Sequence, residues 1–280
     1  VNTYIHSGAW DYTDIPLAEE TEVVTVKAWL PTDEDLPSKL EQLRLHIDEM
    51  SQFLDKGSGV INCSEIQDED WANNWKKYFH PVKIGQRIVV KPSWENYLPQ
   101  SGEIIVELDP GCAFGTGMHE TTQLVIRQLK KFVKPGMEIL DVGTGSGILG
   151  IVALKLGAGH VVGTDLDPCA VPAVSENKEA NQIEEKSFDM MIGNIIDDKD
   201  VQDQVGYEKY DIVTANILAD VLVPLTPVIV AQMKKGAYYI TSGILDVKED
   251  VVVKAVKDAG LTLVEVTHQG EWVSVTARKD

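Results

Sequence analysis

The segment Ile139-Leu140-Asp141-Val142-Gly143-Thr144-Gly145-Ser146-Gly147-Ile148-Leu149-Gly150 constrains the fold more than any other stretch of the chain. An apolar, strand-like run ends in three alternating glycines and then opens into a helix-forming run. Glycines at such a turn allow tight backbone geometry and let a ligand approach with no Cβ in the way. An ordinary strand-to-helix turn needs one glycine, not three. The expectation is a ligand-binding strand–turn–helix unit of an α/β sheet.

The chain beyond Pro110 keeps that rhythm. Strands are expected at 138–142, 160–165, 189–194, 210–215 and 237–242, with helices between them that include 149–156, 169–181, 218–235 and 246–259. Strands separated by helices of this length imply βαβ units and a mostly parallel, doubly wound sheet. The end differs: 261–268 and 271–278, joined around Gln269-Gly270, read as an antiparallel hairpin. Upstream, 1–69 reads as a small α+β module. Residues 22–30 alternate like a strand, and Leu40, Leu43, Ile47, Met50 and Leu54 have the spacing of an amphipathic helix. Residues 70–110 form a connector. Trp71, Trp75, Tyr78 and Phe79 share one face of a helix that Pro81 stops, and strands follow at 86–91 and 103–108. That aromatic stripe reads as inter-domain packing rather than a ligand box. Residues 111–280 then make the ligand-binding domain.

Composition narrows the function class. With 44 Asp and Glu against 25 Lys and Arg, the net charge is −19. Nucleic-acid binders carry the opposite balance or a basic patch, and no run of Lys and Arg interleaved with aromatics occurs here. Taken alone, such acidity serves mainly to keep a protein in solution; its acidic field would also steer a basic protein partner. Cys63, Cys112 and Cys169 are far apart and lack CxxC spacing, which argues against a disulfide framework and a zinc site. No window approaches eighteen apolar residues, and Val1 to Trp10 lack the pattern of a secretory signal, so a cytoplasmic protein is expected.

The glycine turn alone leaves two ligands open. Gly145-Ser146-Gly147-Ile148-Leu149-Gly150 also satisfies the dinucleotide fingerprint, and Asp165, twenty residues on, would bind ribose hydroxyls for either ligand. Three features favour S-adenosylmethionine over a nicotinamide. Asp141 places a carboxylate at the strand end, where a dinucleotide fold prefers an apolar residue; it suits a ligand with an amino group and a sulfonium. The final antiparallel hairpin is the usual ending of a methyltransferase sheet. Ala215-Asn216-Ile217-Leu218 follows the fourth strand at the carboxyl edge, where open α/β sheets bind ligands.

Leu108-Asp109-Pro110-Gly111-Cys112-Ala113-Phe114-Gly115-Thr116-Gly117-Met118-His119-Glu120-Thr121-Thr122 closely resembles the signature of the ribosomal protein L11 methyltransferases (PrmA type). The glycine turn, Asp165 with Asp167, and Asn216-Ile217-Leu218 follow at that family's spacing, and 71–81 matches its connector. The resemblance implies a class I, Rossmann-like methyltransferase domain behind a small α+β substrate-recognition domain. It implies that Thr122, Gly143, Asp165 and Asn216 contact S-adenosylmethionine, and that the segment carrying Phe114, Gly115 and Thr116 folds over it. Asp141 and Gly145 complete the expected cofactor site, with no metal. The family's first module ordinarily opens with a strand and a helix not found ahead of Val1, so a further native segment is expected there.

The implied acceptor is large-subunit ribosomal protein L11, free or on the ribosome, methylated on lysine side chains and its N-terminal amine by a monomeric enzyme. The alternative is a class I methyltransferase acting on another protein or a small-molecule amine. Asn216 is the expected catalytic residue, its carbonyl orienting the acceptor amine without adding charge. His119 is expected to pack or hydrogen-bond within its loop, Asp167 to cap the helix after Pro168, and Cys112 to be a small packing residue. By residue type alone, Thr122 reads as a helix-start residue.

Overall fold

A computed structural model describes residues 35–53, 57–63, 79–109, 115 and 117–280. The expected strand at 22–30 and the aromatics Trp71, Trp75 and Tyr78 lie outside those residues, as do Cys112, Phe114 and Thr116. The chain divides into two compact units, Val1–Tyr78 and Phe79–Asp280.

In the first unit, helix α1 spans Leu36–Met50, with Pro37 in its first turn. Proline is tolerated there because that amide has no intrahelical partner. The helix buries none of its side chains.

The second unit holds two sheets. Strands β1 (Val82–Ile84), β2 (Ile88–Pro92) and β3 (Ile104–Leu108) form the smaller, with β2 antiparallel to β1 and parallel to β3. The larger has seven strands in the order β6-β5-β4-β7-β8-β10-β9. They are β4 (Glu138–Val142), β5 (His160–Asp165), β6 (Phe188–Ile192), β7 (Tyr210–Asn216), β8 (Met233–Leu245), β9 (Thr262–Gln269) and β10 (Trp272–Arg278). The first five are mutually parallel, and β10 runs antiparallel to both β8 and β9. This is the doubly wound sheet with an antiparallel C-terminal hairpin that the sequence implied.

The helices are α2 (Glu120–Phe132), α3 (Ile148–Lys155), α4 (Ala170–Ala180), α5 (Lys199–Val205), α6 (Ala219–Ile229) and α7 (Glu249–Asp258). Several boundaries shift by a few residues; the largest shift is at helix α6, which stops at Ile229 rather than 235 and carries Pro224 and Pro227 within it, each missing an amide from the ladder. Strand β8 consequently starts at Met233 and takes up Lys234 and Lys235. Strand β1 and helix α5 have no counterpart among the expected elements, whereas α2 follows the helix start expected at Thr122.

Apolar layers cover both faces of the large sheet. On one face, Leu222, Leu225 and Ile229 of α6 and Val252 and Val256 of α7 pack on Val213, Tyr239 and Val273. On the other, Val125, Ile126 and Leu129 of α2 and Ile151 and Val152 of α3 pack between Ile139, Ile212 and Ile240 and the small sheet's Ile88, Val90 and Val106. Burial of each such side chain contributes roughly 1.5–3 kcal/mol, so the ends of β4, β5 and β7 are held on a rigid scaffold.

Candidate active site

Strand β4 is the switch point of the sheet, with β5 on one side and β7 on the other. Ligands of open α/β sheets bind in the crevice at the carboxyl ends of such strands. Here those ends carry Gly143, Asp165 and Asn216, so three of the expected site residues come from three adjacent strands.

The glycine turn leaves β4 under close constraint. The amides of Gly143 and Thr144 both donate to the Thr164 carbonyl, at 2.8 and 3.1 Å. Gly143 has φ of 72°, and a Cβ there would fall 2.5 Å from Ile217 Cγ2. Only glycine meets both demands. The contact also shows what closes this side of the turn: Ile217, which the sequence reading quoted only as part of the Asn216 motif.

Asp165 ends β5 half-buried. Its Oδ2 accepts from the Gly145 amide at 2.8 Å and its Oδ1 from the Asp167 amide at 2.9 Å. A carboxylate has about four acceptor positions, so two remain for a pair of hydroxyls. Asp167 in turn accepts the Cys169 amide at 2.9 Å ahead of α4, whose N-cap is Cys169 rather than the expected Asp167.

Asn216 ends β7. Its Nδ2 lies 3.2 Å from Thr122 Oγ1, while its Oδ1 is buried with no partner among the described residues. Thr122 is fully buried in the first turn of α2. A buried acceptor without a donor is uncommon and calls for an explanation; a ligand N–H supplies one.

Asp141 lies beneath the turn, fully buried. Thr214 Oγ1 donates to its Oδ1 at 2.6 Å, and Oδ2 is unpartnered among the described residues. Burial pushes its carboxyl up to about 7; the Thr214 hydroxyl opposes that shift and the Asp165 charge adds to it.

The signature segment docks on this turn. Ser146 Oγ donates to the Gly115 carbonyl at 2.6 Å. At Gly117, φ is 78° and a Cβ would lie 2.7 Å from Val90 Cγ1 and 2.8 Å from Ile148 Cδ1. His119 is the N-cap of α2, its Nδ1 accepting the Thr121 amide at 3.2 Å, and its ring meets Trp272 edge-on. That is the packing and hydrogen-bonding role expected of it.

Sequence reasoning missed the supports. Asn177 Nδ2 donates to the Ser146 carbonyl at 2.9 Å and its Oδ1 accepts the Asp109 amide at 2.8 Å, so one buried side chain ties the turn to the end of β3. One helical turn on, Asn181 Oδ1 accepts the Glu107 amide and its Nδ2 donates back to the Glu107 carbonyl. Two asparagines four apart on a helix were the available signal.

A half-buried carboxylate with two open acceptor positions, set beside a glycine turn, fits an adenosyl amino acid. Among the described residues no His, Cys, Asp or Glu cluster could hold a metal ion, and no helix is long and apolar enough to cross a membrane.

Comparison with known proteins agrees. The family model described as ribosomal protein L11 methyltransferase (PrmA) matches residues 4–280. The ribosomal protein L11 methyltransferase of Lachnospira eligens is 52% identical over 256 residues, covering 91% of this chain and 80% of its own. That of Agathobacter rectalis is 51% identical over 249 residues, covering 88% and 77%. The crystal structure of a ribosomal protein L11 methylase from Lactobacillus delbrueckii subsp. bulgaricus superposes with a TM-score of 0.64 at 32% identity, covering 72% of this chain and all of that one. A putative S-adenosylmethionine-dependent methyltransferase from Streptococcus mutans, 13% identical with a TM-score of 0.51 over 59% of this chain and 50% of its own, shares the fold alone. The chain belongs to the ribosomal protein L11 methyltransferase (PrmA) family of S-adenosylmethionine-dependent enzymes.

Proposed function

We propose that this enzyme transfers methyl groups to the lysine and N-terminal amines of ribosomal protein L11, with Asn216 as the residue that orients each amine. The observation that carries the reading is the unpartnered, buried Oδ1 of Asn216 at the carboxyl edge of the sheet. The acceptor follows from the family, whose members in Lachnospira eligens and Agathobacter rectalis bear this activity in their names.

S-adenosylmethionine, when bound, supplies an activated methyl group on a sulfonium. The residues proposed to hold it are Thr122, Gly143, Gly145 and Asp165, with Asn216 at its edge facing the acceptor, Asp141 beneath the turn and the segment of Phe114, Gly115 and Thr116 over it. Asp165 takes the ribose hydroxyls with its two remaining acceptor positions. Gly143 and Gly145 present backbone with no side chain in the way. Asn216 Oδ1 accepts an N–H from the neutral acceptor amine, which turns the nitrogen lone pair toward the methyl carbon. The amine so oriented would meet the methyl group that S-adenosylmethionine supplies when bound, and its surplus proton would leave to solvent. A neutral amide suits this task, because a carboxylate would favour the unreactive ammonium form. Positioning of this kind is worth roughly 7–11 kcal/mol in favourable cases. His119 has its Nδ1 committed to the α2 cap, and no general base is assigned.

The unit Val1–Tyr78 is proposed to recognise the acceptor protein, and the enzyme to work as a monomer in the cytoplasm, where ribosomes are. Methyl-labelled S-adenosylmethionine incubated with undermethylated large ribosomal subunits, or with free L11, tests the substrate. Label confined to L11 supports the reading. Cofactor binding without label on L11 would point to the other acceptor class, a different protein or a small-molecule amine.

A further inference from the structure

Two segments at the mouth of the site expose large apolar side chains that the fold does not need. On the first, Leu218 is 67% exposed two residues beyond Asn216, and Val221 is 40% exposed in the first turn of α6. On the second, Leu245 ends β8 and Val247, next but one, is 80% exposed. The segments are pinned together at two points. The Ile217 amide donates to the Ser242 carbonyl at 3.1 Å, and Gly243 runs so close to Ile217 that a Cβ would lie 2.5 Å from its carbonyl oxygen. Farther along, Lys248 Nζ pairs with Asp220 Oδ1 at 3.3 Å. The four apolar residues therefore share one rim beside Asn216. Exposed aliphatic side chains gathered at a functional cleft mark an interaction surface rather than scattered surface variation.

The charges around the rim identify its occupant. Asp220, Asp246, Asp250 and Glu271 are exposed on the same segments and the turn before β10, and the Asp246 amide is tied to the Glu271 carbonyl at 2.9 Å. The one lysine among them, Lys248, is engaged by Asp220. An apolar centre ringed by carboxylates, on a chain of net charge −19, complements a lysine-bearing polypeptide. A second copy of this chain would bring the same carboxylates against these, which like-charge repulsion disfavours.

We propose that this rim, formed by Leu218, Val221, Leu245 and Val247, seats the stretch of a basic acceptor protein that flanks the amine being methylated. The proposal rests on the protein-methylating reading above. It assigns the catalytic unit a share in substrate selection through contacts that touch neither the cofactor nor the reacting nitrogen.

The double variant Leu218→Gln, Val247→Gln tests it in the full-length enzyme, with undermethylated L11 as acceptor. KM for the protein should rise about tenfold while kcat stays within about twofold, as expected when apolar contacts at an interface are lost. S-adenosylmethionine affinity, melting temperature and sedimentation should not change. Kinetics equal to wild type would overturn the proposal alone. A lowered melting temperature or altered sedimentation would assign the rim to the chain's own fold or to a second copy, and would overturn it also. Wild-type enzyme that binds cofactor but leaves L11 unmethylated would contradict the substrate reading and take this proposal with it.

Discussion

Asp165 and Asp141 are both carboxylates near one turn, yet their surroundings assign them opposite behaviour. Asp165 is half-exposed and already accepts two backbone amides, so it is ready-made as an anionic acceptor. Replacing it with Ala removes charge-assisted bonds worth roughly 1.5–3 kcal/mol each. S-adenosylmethionine affinity should fall about a hundredfold by calorimetric titration; unchanged affinity would remove Asp165 from the binding site. Asp141 is fully buried and its carboxyl is pushed up to about 7 from an ordinary 3.8, chiefly by burial. The folded, ligand-free chain therefore holds this proton more tightly than the unfolded chain does. The stability contributed by this proton is full below the unfolded value, falls as pH rises from about 4, and is gone above about 7. The whole effect is on the order of 4 kcal/mol. Asp141→Asn keeps an acceptor for Thr214 and cannot ionise, so the stability difference between pH 5 and pH 8 should shrink in the variant. Denaturant unfolding at the two pH values measures it, and an unaltered difference would contradict this account of Asp141. Both carboxylates were legible as site candidates from their places around the glycines. Their division of labour was not, because burial and partner geometry come only with the assembled sheet.

At the scale of elements, the alternation of strands and helices was readable from periodicity, since each strand and amphipathic helix had to bury one face. The unread parts had weaker signals. Strand β1 is three residues long, and the seven-residue α5 is mostly charged and polar. Helix α4 is the more instructive case. Its extent was expected, but Asn177 and Asn181 look in sequence like a solvated face. In the structure they replace a neighbouring strand along β3, whose outer edge would otherwise present unpaired backbone groups. Asn177→Ala leaves the Asp109 amide and the Ser146 carbonyl without their shared partner. At roughly 1–3 kcal/mol for each of the two groups left unsatisfied, a loss of about 2–6 kcal/mol in unfolding free energy is expected. The cofactor affinity of the folded fraction should fall too, because Ser146 also holds Gly115. A loss under about 0.5 kcal/mol would show that this tie is dispensable.

Across the whole molecule, the chain's acidity, its long parallel sheet and its final hairpin all bear on one small volume. The parallel strands deliver three site residues to a common edge, the hairpin supplies Trp272 against the His119 cap, and the net charge suits a basic acceptor. The family signature, the glycine turn and Asn216 were legible before any fold was known, because each is a local pattern with a chemical reason. The pairing of Asn216 with Thr122, ninety-four residues away in sequence, was not, since it depends on how α2 lies against β7. That pairing leaves Asn216 Oδ1 as the free acceptor among the described residues, and its proposed role is to orient the amine that receives the methyl group. Side-by-side measurement of single-turnover methyl transfer and S-adenosylmethionine affinity in Asn216→Ala tests it most directly. The rate should be about a hundredfold lower, in line with loss of a positioned hydrogen bond in a transition state, with affinity within about threefold of wild type. Equal losses in rate and affinity would contradict it and make Asn216 a cofactor contact only.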